Sequence, residues 1–307
     1  MRLRNMGEGV GSRGLAACHG HPGHPDRGDR MGKPVIFTDL DGTLLDCVTY
    51  SFEPALPALR LIGEMDIPIV FCSSKTRDEI ECCRRNLGNG HPFITENGGG
   101  IVIPAGYFDP RIFPVHTTIV RENECLVIRL GASYPALRRA IRELRSEGFR
   151  ITGFGDMSVA EVAELTKLPR DQARLAKRRD YDEPFLFDGN EVETIKFEKA
   201  VRAKGFSLTR GSFFHLLGDS DKGKAVALLI GFFRQKYGEI SSIAVGDGPN
   251  DIPMLELVDH PILVRKPDGN HDSRVDIPRL IRAEGIGPEG WNSALLGLLS
   301  GLEPVRK

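Results

Sequence analysis

From residue 34 onward, short apolar runs alternate with stretches whose apolar positions recur at helical spacing. Residues 34–39 and 67–72 read as buried strands, and 93–95 and 100–103 as shorter ones. Between them, residues around 54–65 and 76–87 read as helices, the second opened by Thr76 as N-cap. After Lys222 the alternation returns, with a helix over 224–237 and a strand over 240–245. Such alternation predicts an α/β fold. Its core is a doubly wound, mostly parallel, Rossmann-like sheet with right-handed crossovers and helices on both faces.

The pattern changes near residue 112. Residues 119–120, 126–128, 149–151, 194–197 and 213–217 read as strands. Leu137, Ile141 and Leu144 predict a helix over 134–148, and 158–165 and 169–179 read as two short helices. This mixture predicts an inserted α+β cap domain over 112–208, with the core made from 32–111 and 209–307. Residues 1–31 are rich in Gly, Arg and His and lack apolar periodicity, so they read as a disordered N-terminal extension. Met31, just before the first strand, reads as an alternative start. The tract Cys18-His19-Gly20-His21 offers soft metal ligands, but nothing fixes their geometry.

Net charge is −1, from 41 basic against 42 acidic side chains, so no global attraction to nucleic acid or an anionic membrane is expected. No apolar run approaches the ~20 residues that span a bilayer. The 6 cysteines form no CxxC pair, which argues against a disulfide framework and for a reducing cytoplasm. The expected oligomeric state is monomer or homodimer.

Asp39 and Asp41 end the first apolar run, and Gly42 and Thr43 follow. Gly42 permits a tight exit, which puts both carboxylates at the strand's carboxyl end, where open α/β sheets place ligands. Residues 245–251 repeat the theme: Asp247 and Asp251, among Gly, Pro and Asn, follow a second apolar run. Either cluster alone reads as a solvated turn. Two of them, each on a strand, point to a site of hard oxygen ligands suited to Mg²⁺.

Asp39-Leu40-Asp41-Gly42-Thr43 and Gly246-Asp247-Gly248-Pro249-Asn250-Asp251 resemble the first and fourth motifs of the haloacid dehalogenase superfamily. Ser73 after an apolar strand and Lys222 before a helix stand where the second and third belong. Cys72-Ser73-Ser74-Lys75-Thr76, Thr95-Glu96-Asn97-Gly98-Gly99, residues 179–185 and residues 218–225 are similar to the mannosyl-3-phosphoglycerate phosphatase family. The resemblance covers roughly residues 33–265.

That resemblance implies a Mg²⁺-dependent phosphatase that releases mannosylglycerate, a compatible solute, through an aspartyl-phosphate. It makes Asp39 the nucleophile, Asp41 the general acid and base, and Lys222 the cation stabilising the transition state. Asp39, Asp41 (through its backbone carbonyl), Asp247 and Asp251 are the implied metal site, Asp251 acting by orienting a ligand. Ser73, with backbone N–H groups at Gly42 and Ser74, is the implied phosphate cradle. Arg179, Glu183 and Arg210 are the candidate contacts to a phosphorylated sugar-glycerate. Residues 209–212 depart from the family's glycine-rich stretch, which leaves the sugar open. A phosphatase of glucosyl-3-phosphoglycerate, a phosphomannomutase-like phosphotransferase and a catalytically dead binding protein are the alternatives. His215, between Phe214 and Leu216, reads as a core-strand histidine. Residues 218–225 nearly fit a nucleotide-binding phosphate loop, but Ala225 stands where the metal-binding hydroxyl belongs.

Overall fold

The computed structural model describes residues 32–114 and 118–301. The expected N-terminal extension over 1–31 lies outside the described residues. In chain order the elements begin with β1 (Lys33–Thr38), α1 (Leu56–Glu64), β2 (Ile69–Cys72), α2 (Arg77–Leu87), β3 (Phe93–Thr95) and β4 (Gly100–Pro104). Next come β5 (Ile119–Glu122), β6 (Cys125–Arg129), α3 (Tyr134–Ser146), β7 (Ile151–Gly153), α4 (Val159–Thr166) and α5 (Arg170–Ala176). They continue with β8 (Asp182–Phe187), α6 (Glu191–Ala203), β9 (Ser207–Arg210), β10 (Phe214–Leu217) and α7 (Lys222–Tyr237). The last are β11 (Ile240–Gly246), α8 (Ile252–Leu255), β12 (His260–Arg265), β13 (Ile281–Ile286) and α9 (Gly287–Ser300).

The main sheet has the strand order β13-β12-β11-β1-β2-β3-β4-β6-β5. Pairing is parallel from β13 to β3 and antiparallel from β3 to β5. Both faces are covered, so its strands are apolar almost throughout. Val35 and Phe37 of β1 pack with Val226, Leu229 and Phe233 of α7. Ile36 points the other way, to a layer holding Ala58 and Ile62 of α1 and Trp291 and Leu295 of α9. This is the doubly wound core that the alternation predicted.

A second, antiparallel sheet has the order β7-β8-β10-β9. Leu137, Ile141 and Leu144 of α3 and Phe197 and Val201 of α6 pack with Phe185 of β8 and Leu216 of β10 in one cluster. Two short helices, α4 and α5, close over Phe154 and Phe213. A mostly parallel core sheet and a separate antiparallel sheet make a core with a cap.

Sheet membership departs from the expected bounds of 112 and 208. Strands β5 and β6 extend the main sheet, because β6 pairs with β4 and buries Val127 on one face and Ile128 on the other. Strands β9 and β10 belong to the smaller sheet. Residues 194–197 are not a strand. They lie in α6, where a capping box between Asn190 and Glu193 starts the helix. Thr194, Ile195 and Phe197 gave the segment its strand-like look, yet Ile195 is exposed while Phe197 and Val201 are buried four residues apart. Strand β8, at the centre of the cap sheet, escapes a sequence reading because Asp182, Glu183 and Pro184 open it. The Thr76 cap is present, with Glu79 completing its capping box. Among the described residues no helix is long and apolar enough to cross a membrane.

The helical register of α6 predicts opposite outcomes for two of its residues. Phe197→Ala should lower unfolding stability by about 3–5 kcal/mol, because it opens a cavity in the cap core. Val192→Ala should change it by less than about 0.5 kcal/mol. Urea titration of both variants checks this; equal costs would contradict the helix.

Candidate active site

Parallel pairing of β1 with β11 sets Thr38 opposite Val245. The loops that follow therefore leave the same edge of the sheet. Asp39 N–H donates to Val245 O at 2.9 Å, extending that pairing by one residue. The chain turns at Gly42, whose φ of +76° favours glycine, and a Cβ there would come within 3.3 Å of Asp247 Oδ2. Gly246 allows a closer approach: a Cβ there would lie within 2.6 Å of the Asp251 carboxyl group.

Lys222 enters from the first turn of α7, which Asp221 caps by accepting from Lys224 N–H at 2.8 Å. Its side chain is 0% exposed, with Nζ 2.6 Å from Asp39 Oδ1 and 2.7 Å from Asp251 Oδ1. The other Asp251 oxygen accepts the backbone N–H groups of Asp247 at 3.0 Å and Gly248 at 3.2 Å. Thr43 Oγ1 donates to Asp39 Oδ2 at 3.3 Å.

One carboxylate oxygen from each of Asp39, Asp247 and Asp251 lies within 4.8 Å of the others. Burial pushes the Asp39 carboxyl up to about 8, against the pull of Lys222 and with the push of Asp251 and Asp247. Burial and Asp251 likewise push Asp247 up to about 7, with Lys266 and Lys222 opposing. Burial would lower the Lys222 ammonium, but Asp251 and Asp39 outweigh it and hold it above the usual lysine range. Three close carboxylates against one shared ammonium leave negative charge uncompensated. The all-oxygen donors of Asp39, Asp247 and Asp251 fit a hard divalent cation such as Mg²⁺. Asp251 meets Lys222 through Oδ1 and two backbone N–H groups through Oδ2, which suits it to orienting its neighbours.

The Asp41 side chain takes a different partner. Its Oδ1 lies 2.9 Å from Lys75 Nζ. Lys75 is itself buried, 3.8 Å from Glu79 Oε1, and its Nζ stands 5.1 Å from the centre of the Tyr50 ring. Burial would lower this ammonium too, yet Asp41 and Glu79 hold it above the usual range. Ser74 and Gly42 line the cavity in front of this group. Ser73 is buried, and its Oγ accepts from Lys75 N–H at 3.2 Å.

A cavity of about 580 Å³ opens over these residues. Its floor includes Asp39, Asp41 and Asp247 from the core, and its roof includes Phe154, Pro184 and Phe213 from the cap. Arg210 lines it and stacks over Phe214 at 4.6 Å. Arg179 also lines it, but its side chain is largely committed. Nη1 donates to Ser74 O at 2.7 Å and Nε to Ala176 O at 2.8 Å, which ties cap to core. Glu183 does not line the cavity. It is buried, with Oε1 2.5 Å from Arg138 Nη1 and accepting from Gly155 N–H at 3.0 Å. Strand alternation is the reason: on β8, Asp182 and Pro184 face the site, while Glu183 and Phe185 face the helical layer.

Sequence reasoning gave no site role to several lining residues, among them Lys266, Asn97 and His215. Lys266 follows β12, the strand beside β11, so the strand-then-turn rule that found Asp247 applies to it equally. Asn97 and His215 also line the cavity. Nothing local marks either one, because their role depends on a residue far away in sequence.

No family model matches the chain. It is 45% identical over 269 residues to a glucosyl-3-phosphoglycerate/mannosyl-3-phosphoglycerate phosphatase of Methanococcoides burtonii, covering 87% of this chain and 97% of that protein. It is 40% identical over 231 residues to a mannosyl-3-phosphoglycerate phosphatase of Pyrococcus furiosus, covering 75% of this chain and 90% of that protein. Among solved structures it resembles a phosphatase of the haloalkanoate (HAD) enzyme superfamily from Bacteroides thetaiotaomicron. That likeness has a TM-score of 0.59 at 22% identity, over 92% of this chain and 98% of the other, and bears on the fold alone. With a doubly wound core, a cap and relatives matched over nearly their whole length, this chain belongs to the mannosyl-3-phosphoglycerate phosphatase family.

Proposed function

We propose that this protein hydrolyses mannosyl-3-phosphoglycerate to mannosylglycerate and inorganic phosphate, with Mg²⁺ as cofactor. The observation that carries this is the Asp39 carboxylate, gripped by Lys222 at 2.6 Å on the floor of a cavity roofed by the cap. The names of the relatives supply the substrate class. The dual name of the 45% relative favours glucosyl-3-phosphoglycerate as a second substrate of the same site.

Asp39 attacks the phosphorus, and the ester bond to the glycerate oxygen breaks. Asp41 gives a proton to that oxygen as it leaves. Asp41 then takes a proton from the water that attacks the aspartyl-phosphate, which returns Asp39 and frees phosphate. Lys222 stays charged throughout and faces the charge gathering on the phosphoryl oxygens. Lys75 holds Asp41 in place from below. When bound, the cation masks the phosphate's charge so that a carboxylate can approach.

Phosphate release from mannosyl-3-phosphoglycerate, glucosyl-3-phosphoglycerate and mannose 6-phosphate tests the reading. Release from the first two should far exceed the third and should stop on chelation. Phosphate moved to another hydroxyl would mark a phosphotransferase instead. Asp39→Asn should cut turnover about a thousandfold or more while the melting temperature holds; retained activity would remove Asp39 as nucleophile.

Mg²⁺ binding should also release protons. The Asp39 carboxyl at about 8 and Asp247 at about 7 are partly protonated at neutral pH, and a metal ligand must be deprotonated. Raised carboxyl values mean that protons compete, so affinity should rise from pH 6 to pH 8. Calorimetry in buffers of different ionisation enthalpy counts the protons; none released at pH 7 would contradict the clustered carboxylates.

A further inference from the structure

Asn97 and His215, both lining the cavity, each present a polar atom without a hydrogen-bond partner among the described residues. Asn97 Oδ1 is buried without a hydrogen bond. His215, 6% exposed, bonds through Nδ1 alone, which leaves Nε2 free. Asp182 sets the orientation of both side chains. Fully buried at the start of β8, it accepts from Asn97 Nδ2 at 3.0 Å and pairs with His215 Nδ1 at 2.8 Å. Arg179 Nη1 lies 3.7 Å from the same carboxylate, in keeping with negative charge there.

An ionised carboxylate only accepts hydrogen bonds. Asn97 must therefore turn its amide nitrogen toward Asp182 and its carbonyl oxygen away. His215 must carry a hydrogen on Nδ1 and present Nε2 to whatever fills the cavity. Asn97 also holds a left-handed backbone, φ 54° and ψ 35°, a conformation often kept at functional sites.

The chemistry left on offer is specific. Asn97 Oδ1 repels an anion and wants a donor. Nε2 either accepts or donates, depending on its proton. A hydroxyl group satisfies both atoms in either state, and a carboxylate does not. Anionic parts of a ligand have another partner in the cavity, Arg210.

We propose that Asn97 and His215, aligned by Asp182, form a hydroxyl-binding subsite that selects the sugar half of the substrate. Asp182 is its positioning residue. The subsite rests on the glycosyl-phosphoglycerate reading given above.

The test compares kcat/KM for mannosyl-3-phosphoglycerate with that for 3-phosphoglycerate, which lacks the sugar, in the full-length enzyme with Mg²⁺. His215→Asn keeps an amide near the Nδ1 position, within reach of Asp182, but does not extend to Nε2. His215→Gln reaches the Nε2 position. The loss in His215→Asn should be at least about tenfold greater on the glycosylated ester than on 3-phosphoglycerate. His215→Gln should recover most of that difference. Asn97→Gly, which the left-handed backbone accepts, should show the same selective loss if the histidine variants fold poorly. Equal losses on both esters at an unchanged melting temperature would overturn the subsite, as would a Gln variant no better than Asn. A wild-type enzyme with no preference for a glycosylated ester would overturn the substrate reading and the subsite together. A wild-type preference retained in His215→Asn and Asn97→Gly would overturn the subsite alone.

Discussion

Lys222 holds its Nζ between Asp39 and Asp251 with its side chain fully buried. An ion pair taken out of water gains little stability, because desolvation offsets the attraction. Removing Lys222 would leave Asp39 and Asp251 without their shared cation in a dry setting. The surrounding structure follows from that constraint. Asp251 spends its second oxygen on the N–H groups of Asp247 and Gly248, which shapes the loop that carries Asp247. Gly246 has no side chain because the Asp251 carboxyl group occupies the space. The remaining charge excess, spread over Asp39 and Asp247, is what a divalent cation and a phosphate would balance between them.

The cap is tied to this floor through buried charge as well. Glu96 accepts the N–H groups of Asp180 at 3.1 Å and Tyr181 at 2.9 Å, just before β8 begins. Burial pushes its carboxyl up to about 8, with Arg179 opposing. Arg179 reaches back from the cap to Ser74 O, beside the phosphate cradle implied by Ser73 and Ser74. Glu79 completes the Thr76 capping box and also lies near Lys75 and Arg179. A single acid thus serves a helix start, the cation beside Asp41 and the seam between cap and core. Polar groups buried this tightly need defined partners, so the cap has few ways to seat on the core.

Much of the core was legible in the chain because its signals are local. Apolar strands ending in acids located Asp39, Asp41 and Asp247, and a polar residue before an amphipathic stretch located Thr76 and α2. Segments failed where two influences compete. In α6, β-branched residues favour a strand, but the Asn190 capping box and the burial of Phe197 and Val201 decide for a helix. In β8, acidic residues and a proline hide a strand whose alternation then sends Glu183 away from the cavity and Pro184 onto it. One residue of register separates those outcomes, and composition does not report register.

By itself the sequence determined the strand–helix alternation and the carboxylate pairs at strand ends, because each depends on neighbours a few positions apart, while Lys222 came from the family resemblance. Tertiary structure decided which of these groups meet. Lys222 lies 183 residues from Asp39, and Asn97 lies 85 from Asp182. Parallel pairing of β1 with β11 and the seating of the cap bring them within hydrogen-bond range. Only there does burial raise the cost of unpaired charge enough to shift protons and orient side chains.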